Sequence, residues 1–118
     1  MKKVVGLLLL LSLLAMPLAA SLYSDATRLA GLLADTQDKA TISAAAWKSI
    51  ANEATTYTGR MYLHRTPKTS DDVKAARRHV LEMLDAAEKG DADGAKSHAG
   101  LALPYVYKVI DATAPKGK

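Results

Sequence analysis

The sequence predicts an all-α protein, an up-down four-helix bundle built from two helical hairpins. Three observations carry that prediction. Apolar residues recur at three- and four-residue spacing in four separate stretches. The breaks between those stretches hold residues that start and stop helices. Alanine is abundant and phenylalanine absent, a composition that favours closely packed helices over a sheet.

The first stretch is Leu22, Ala26, Leu29, Leu33, spaced 4-3-4, and the second is Trp47, Ile50, Ala54, Tyr57, Met61, spaced 3-4-3-4. Each spacing puts one apolar stripe along a helix. Val73, Ala76, Val80, Met83, Ala87 and then Ala95, Ala99, Ala102, Val106, Val109 repeat the pattern. Ser70, followed by Asp71 and Asp72, reads as the start of the third helix, with the acids against the positive end of the helix dipole. Lys89-Gly90 ends that helix, because glycine accepts the left-handed conformation of a C-terminal cap, and Asp91 caps the fourth. Pro67 closes the connection after the second helix. Pro104 falls inside the fourth, where its missing amide hydrogen and its ring predict a kink or a division. Residues 24–58 and 71–107 each form a helix, a short turn and a second helix, offset by about 50 residues, which yields two hairpins.

Export is expected from the N-terminus. Lys2 and Lys3 precede an almost unbroken apolar run of twelve residues, Val4 to Ala15, and small residues follow Pro17. That order is a bacterial signal peptide, and the run is shorter than the roughly 20 residues a membrane span needs. The expected organisation is therefore a leader at 1–20, a bundle domain at 21–112 and a flexible tail at 113–118, with a periplasmic or secreted product and no membrane span in the mature chain. Without Lys2 and Lys3 the formal charge falls from +4 to about +2, which offers no case for nucleic acid. Cysteine is absent, so disulfides, thiolate metal sites and c-type haem attachment are excluded.

The chemistry rests on a few side chains. His79 and His98 flank the Gly90 turn, and Met83 lies one turn from His79 on the same face. Folding the hairpin gives two imidazoles and a thioether, a set suited to copper because thioether sulfur is soft. Met61 and His64 form a second i, i+3 pair at the end of helix two, remote from the Gly90 turn in an up-down bundle. Asp91-Ala92-Asp93-Gly94 opens like a calcium loop, but the third acid and the distant glutamate are missing. The other paired carboxylates, Asp71-Asp72, sit at a helix start, where the dipole explains them. No Gly-rich phosphate loop or nucleophile triad has recognisable context, and the protein is expected not to be an enzyme.

Arg78-His79-Val80-Leu81-Glu82, Gly90-Asp91-Ala92 and Ser97-His98-Ala99 together resemble the small metal-binding protein family, periplasmic bundles whose helices repeat a His-Ala/Leu-x-x-Ala unit around short Gly-containing turns. Both histidines fall where that repeat has them, and Leu29 and Ile50 hold the corresponding places in the first half. The resemblance implies divalent copper, nickel or zinc as the ligand.

The functional expectation is an exported small bundle that binds a transition metal, copper-like, in low capacity through His79, Met83 and His98, with His64 and Met61 as an accessory pair. The alternative is a structural or adaptor bundle that meets another cell-envelope protein, or a second copy of itself, without metal. Trp47, Tyr57, Tyr62, Tyr105 and Tyr107 are its candidate contact residues. Tyr105 and Tyr107 point to different faces of helix four.

Overall fold

A computed structural model describes residues 18–115. Among them are four helices and no strand: α1 (Leu18–Asp38), α2 (Ala44–Leu63), α3 (Ser70–Glu88) and α4 (Ala92–Thr113). α1 packs on α2 and α4, and α3 packs on α2 and α4. The helices therefore close a ring in chain order, the up-down bundle expected from two hairpins. The α3–α4 interface is the most extensive of the four, and it carries both histidines of interest. No described helix is long and apolar enough to cross a membrane. Residues 1–17 of the expected leader and 116–118 of the expected tail lie outside the described residues.

The stripes read from the sequence are the core. Leu22, Ala26, Leu29 and Leu33 of α1 are fully buried, as are Val73, Ala76, Val80 and Met83 of α3 and all five stripe residues of α4. Alanine at so many inward positions lets the backbones approach closely. On α2 the inward line runs through Trp47, Ala51, Ala54, Thr58 and Met61. Ile50 and Tyr57 of the predicted stripe are only half-buried. Tyr57 lies at the rim because its hydroxyl reaches Glu53 Oε2 at 3.4 Å, keeping the polar tip outside.

The turns are built by short polar side chains and one glycine. Gly90 has φ +76°, a conformation that costs a residue with a Cβ about 1–2 kcal/mol. There its N–H donates to Ala87 O at 3.2 Å and the Asp91 N–H donates to Ala86 O at 2.9 Å, the double bond of a Schellman cap. Asp91 then caps α4 by accepting from the Gly94 N–H at 2.9 Å. That use of its carboxylate agrees with a capped turn in place of a calcium loop.

Two details of the punctuation differ from expectation. Ser70 is already helical; the residue before it, Thr69, holds the cap position without a capping side-chain bond. The Thr69 hydroxyl accepts instead from the Thr66 N–H at 2.9 Å, tightening the connection that contains Pro67. Pro104 does not divide α4, which runs unbroken from Ala92 to Thr113. It is exposed, opposite the buried stripe, so its ring leaves the packed face undisturbed and only the helical bond to the carbonyl four residues earlier is lost. That carbonyl belongs to Gly100, where a Cβ would come within 2.9 Å of Gln37 Oε1. Glycine here leaves room for the Gln37 amide, whose Nε2 donates to Lys96 O at 3.0 Å.

Candidate metal centre

The α3–α4 interface brings His79 and His98 together as the hairpin reading expects. Their rings stack with centroids 5.8 Å apart and an interplanar angle of 28°. Tyr105, seven residues after His98 on the same face of α4, also stacks on His79, at 5.9 Å and 18°. Two aromatic neighbours restrict how far the His79 ring can turn.

The third polar group at the pair is Glu82, one turn along α3. Its Oε1 lies 4.0 Å from His79 Nδ1 and its Oε2 lies 3.6 Å from His98 Nε2, so the carboxylate spans the two imidazoles. All three donors lie within 4.8 Å of one another. The side chains grade from inside to outside: His79 is 14% exposed, His98 28% and Glu82 46%.

At 4.0 and 3.6 Å neither contact is a hydrogen bond. His79 Nδ1 and His98 Nδ1 are both buried without a hydrogen-bond partner, an arrangement that ordinarily costs about 1–3 kcal/mol per group. Burial is the largest influence on His79 and lowers its pKa below 6.5. Glu82 opposes that shift, while Arg78 and His98 add to it. Burial thereby favours the neutral form of His79, the form that offers a lone pair to a metal.

A zinc-sized ion in tetrahedral coordination needs donors roughly 3.3–3.5 Å apart. Glu82 approaches His98 Nε2 to 3.6 Å through Oε2 and His79 Nδ1 to 4.0 Å through Oε1, and one donor atom from each residue lies within 4.8 Å of the others, so the set must draw in to hold such an ion. The half-exposed Glu82 is the side chain freest to close the remainder. Two nitrogens and one carboxylate oxygen suit zinc or divalent copper and nickel, not the soft monovalent copper that a thioether would favour.

The remaining sequence candidates, Met83, Met61 and His64, take core and helix-end positions. Met83 and Met61 are fully buried members of the hydrophobic core, with Leu, Val and Ala side chains as their setting. His64 caps the C-terminus of α2, its N–H bonding to Arg60 O at 3.1 Å and Met61 O at 3.2 Å. It is not part of the donor cluster on the α3–α4 hairpin. Glu82 was not among the residues picked out from the sequence. The signal for it was the i, i+3 spacing from His79, which competes with the i, i+4 spacing to Met83.

Beside the cluster, Glu82 forms the edge of an open groove of about 530 Å³ between α2 and α3, lined also by Tyr62, Lys74, Arg77, Arg78 and Leu81. The Tyr62 ring carries the Arg65 guanidinium at 3.8 Å and that of Arg77 at 4.8 Å. Tyr107 is exposed on a different face of α4 from Tyr105, as the spacing expects. No family model, curated protein or solved structure matches this chain.

Proposed function

We propose that this chain is a small exported helical bundle that binds a single divalent transition metal, zinc or divalent copper, between α3 and α4 through His79, Glu82 and His98. One observation carries the reading: three metal-competent donors from two helices converge within 4.8 Å with no hydrogen bond among them. A carboxylate facing Nδ1 of His79 and Nε2 of His98, with the buried His79 Nδ1 left without a hydrogen-bond partner, is a set that a cation would join. The resemblance of residues 77–103 to the small metal-binding protein family supports the same assignment, and the N-terminal leader supports an exported setting. Low capacity follows from the presence of one such cluster among the described residues. Binding without turnover is the role put forward, in keeping with the absence of a recognisable catalytic arrangement in the sequence.

Titration calorimetry with zinc and with divalent copper tests this on the purified chain. The expected result is saturation at one equivalent that is lost in the His79→Ala/His98→Ala variant and retained in His64→Ala. Graded, non-saturating uptake, or saturation that survives the double substitution, would overturn it.

A further inference from the structure

The outward stripe of α3 is divided by charge. Lys74, Arg77 and Arg78 come before Leu81, and Asp85 and Glu88 come after it. Steps of three, four and seven residues keep all six on one side of the helix. Arg77 is half-buried and the other five are exposed. All but Glu88 line the open groove between α2 and α3. The stripe is therefore basic in the first half of α3, apolar at Leu81 and acidic toward the Gly90 turn.

This order is complementary to its own reverse. Lys74 stands seven residues before Leu81 and Glu88 seven after, each about 10 Å away along the helix axis. Arg77 and Arg78 stand four and three residues before Leu81, and Asp85 four after. Turning α3 end for end about Leu81 lays cations on acids and leucine on leucine. A surface that matches its own reversed copy is what a two-fold dimer requires, because each contact then occurs twice. A uniformly acidic partner would instead be repelled by Asp85 and Glu88. Within one chain these charges are little used. Among the described residues Lys74, Arg77 and Glu88 make no ion pair within 4.0 Å, and Arg78 reaches Glu82 only at 4.0 Å. Asp85 is held by Lys89 at 2.9 Å, but both side chains are more than half exposed, and exposed pairs exchange readily. Stacking on Tyr62 at 4.8 Å holds the Arg77 guanidinium at the α2 edge of the groove, so less freedom is lost when it is paired. Leu81, at the centre of the stripe, is 41% exposed.

We infer that this stripe is the interface of a homodimer, in which α3 of a second copy lies antiparallel across the groove about a two-fold axis at Leu81. Lys74 meets Glu88 of the other copy, Arg77 and Arg78 meet its Asp85, and the two Leu81 side chains close the centre. The interface lies on the α2 side of α3, whereas His79 stacks on His98 at the α4 side. Association therefore needs no metal.

Sedimentation equilibrium of the purified chain, with a chelator present to exclude bridging by metal, tests this. The parent is expected to be a dimer at low salt and to dissociate more readily as salt is added, because its ion pairs are screened. Lys74→Glu/Arg78→Glu makes the stripe largely acidic, and Asp85→Lys/Glu88→Lys makes it largely basic. All four positions are exposed, so both variants should keep the helical circular dichroism of the parent. Each variant alone should dissociate at least about tenfold more readily than the parent, and an equimolar mixture should recover a dimer containing one copy of each. A second measurement does not depend on those variants. The chain has no cysteine, so Leu81→Cys, which meets its own copy, should form an intermolecular disulfide on mild oxidation. Leu101→Cys, at a position 49% exposed on α4, should cross-link far more slowly. A parent that stays monomeric up to about 1 mM, variants that self-associate like the parent, a mixture without mixed dimer, or equal cross-linking at positions 81 and 101 would overturn the interface.

Discussion

Replacing Glu82 by alanine separates the donor set of the structure from the set suggested by i, i+4 spacing. The side chain is 46% exposed and makes no contact shorter than 3.6 Å to either histidine, so its loss should change the stability of the metal-free protein by no more than about 0.5 kcal/mol. Metal binding is another matter. Loss of an outer-shell partner alone costs 10–100-fold in affinity, so loss of a direct ligand should cost at least about 100-fold. At free zinc 100 times the parent's dissociation constant, the ion stabilises the parent by about 2.7 kcal/mol. For a domain of this size that raises the melting temperature by roughly 10–20 °C. At the same zinc concentration Glu82→Ala should gain only about 0.4 kcal/mol, or roughly 2–3 °C. Met83→Leu is the counterpart: a volume-conserving change in the core that should lower the metal-free melting point slightly, at a cost below about 1.5 kcal/mol, and keep the full zinc shift. Circular dichroism melts with and without zinc measure all three proteins. A full shift in Glu82→Ala, or a collapsed one in Met83→Leu, would refute the assignment of the carboxylate.

Further outcomes follow from the fold itself. Gly90→Ala places a Cβ at φ +76° and should destabilise the protein by about 1–2 kcal/mol in urea unfolding; an unchanged midpoint would show that the α3–α4 turn relaxes freely. Asp25 is nearly buried and is paired with Arg60 at 3.2 Å, so Arg60→Ala leaves a buried carboxylate uncompensated. That should cost about 1–3 kcal/mol, and more than an exposed pair such as Lys39–Asp35 removed in the same assay. The pKa of His79 is lowered chiefly by burial, against the pull of Glu82 and with help from Arg78 and from His98 across the interface. The unfolded chain takes up this proton near pH 6.5 and the folded chain only at lower pH, so the unfolded state binds more protons between the two values. The contribution is intact above about pH 6.5 and is lost as the pH falls toward the lowered value. Urea midpoints measured in that window should decline less for His79→Gln than for the parent; parallel declines would show that other groups carry the acid sensitivity.

Much of the architecture was legible because it depends on residues whose environment is set by periodicity. Val73, Ala76, Val80 and Met83 could form one buried line only on a helix, and Gly90 followed by Asp91 could do little but end one helix and begin another. Thr69 was missed since its role comes from a bond to Thr66 inside a loop, where no period operates. Pro104 was expected to disrupt α4, but its outward position removes the reason. The candidate site was half legible. His79 and His98 were visible by their symmetric placement about the turn. Their partner was not, because His79 sits at the edge of the α3 stripe: from there four residues onward rotate inward to Met83, while three rotate outward to Glu82. Which of the two faces the partner helix depends on how α3 and α4 are set against each other, and that is a tertiary fact. Tyr105 was identified as an aromatic, but its contact with His79 follows only once both helices are in place.

The three histidines of this chain make one measurement especially direct. Side-chain nitrogen NMR of labelled imidazoles, followed through a zinc titration, reports each ring nitrogen separately. The account predicts that His79 and His98 shift together and saturate at one equivalent, with Nδ1 of His79 and Nε2 of His98 as the metal-bound atoms, while His64 keeps its metal-free resonances. A shift led by His64, or gradual movement of all three without saturation, would contradict the assignment of a metal site to the α3–α4 hairpin.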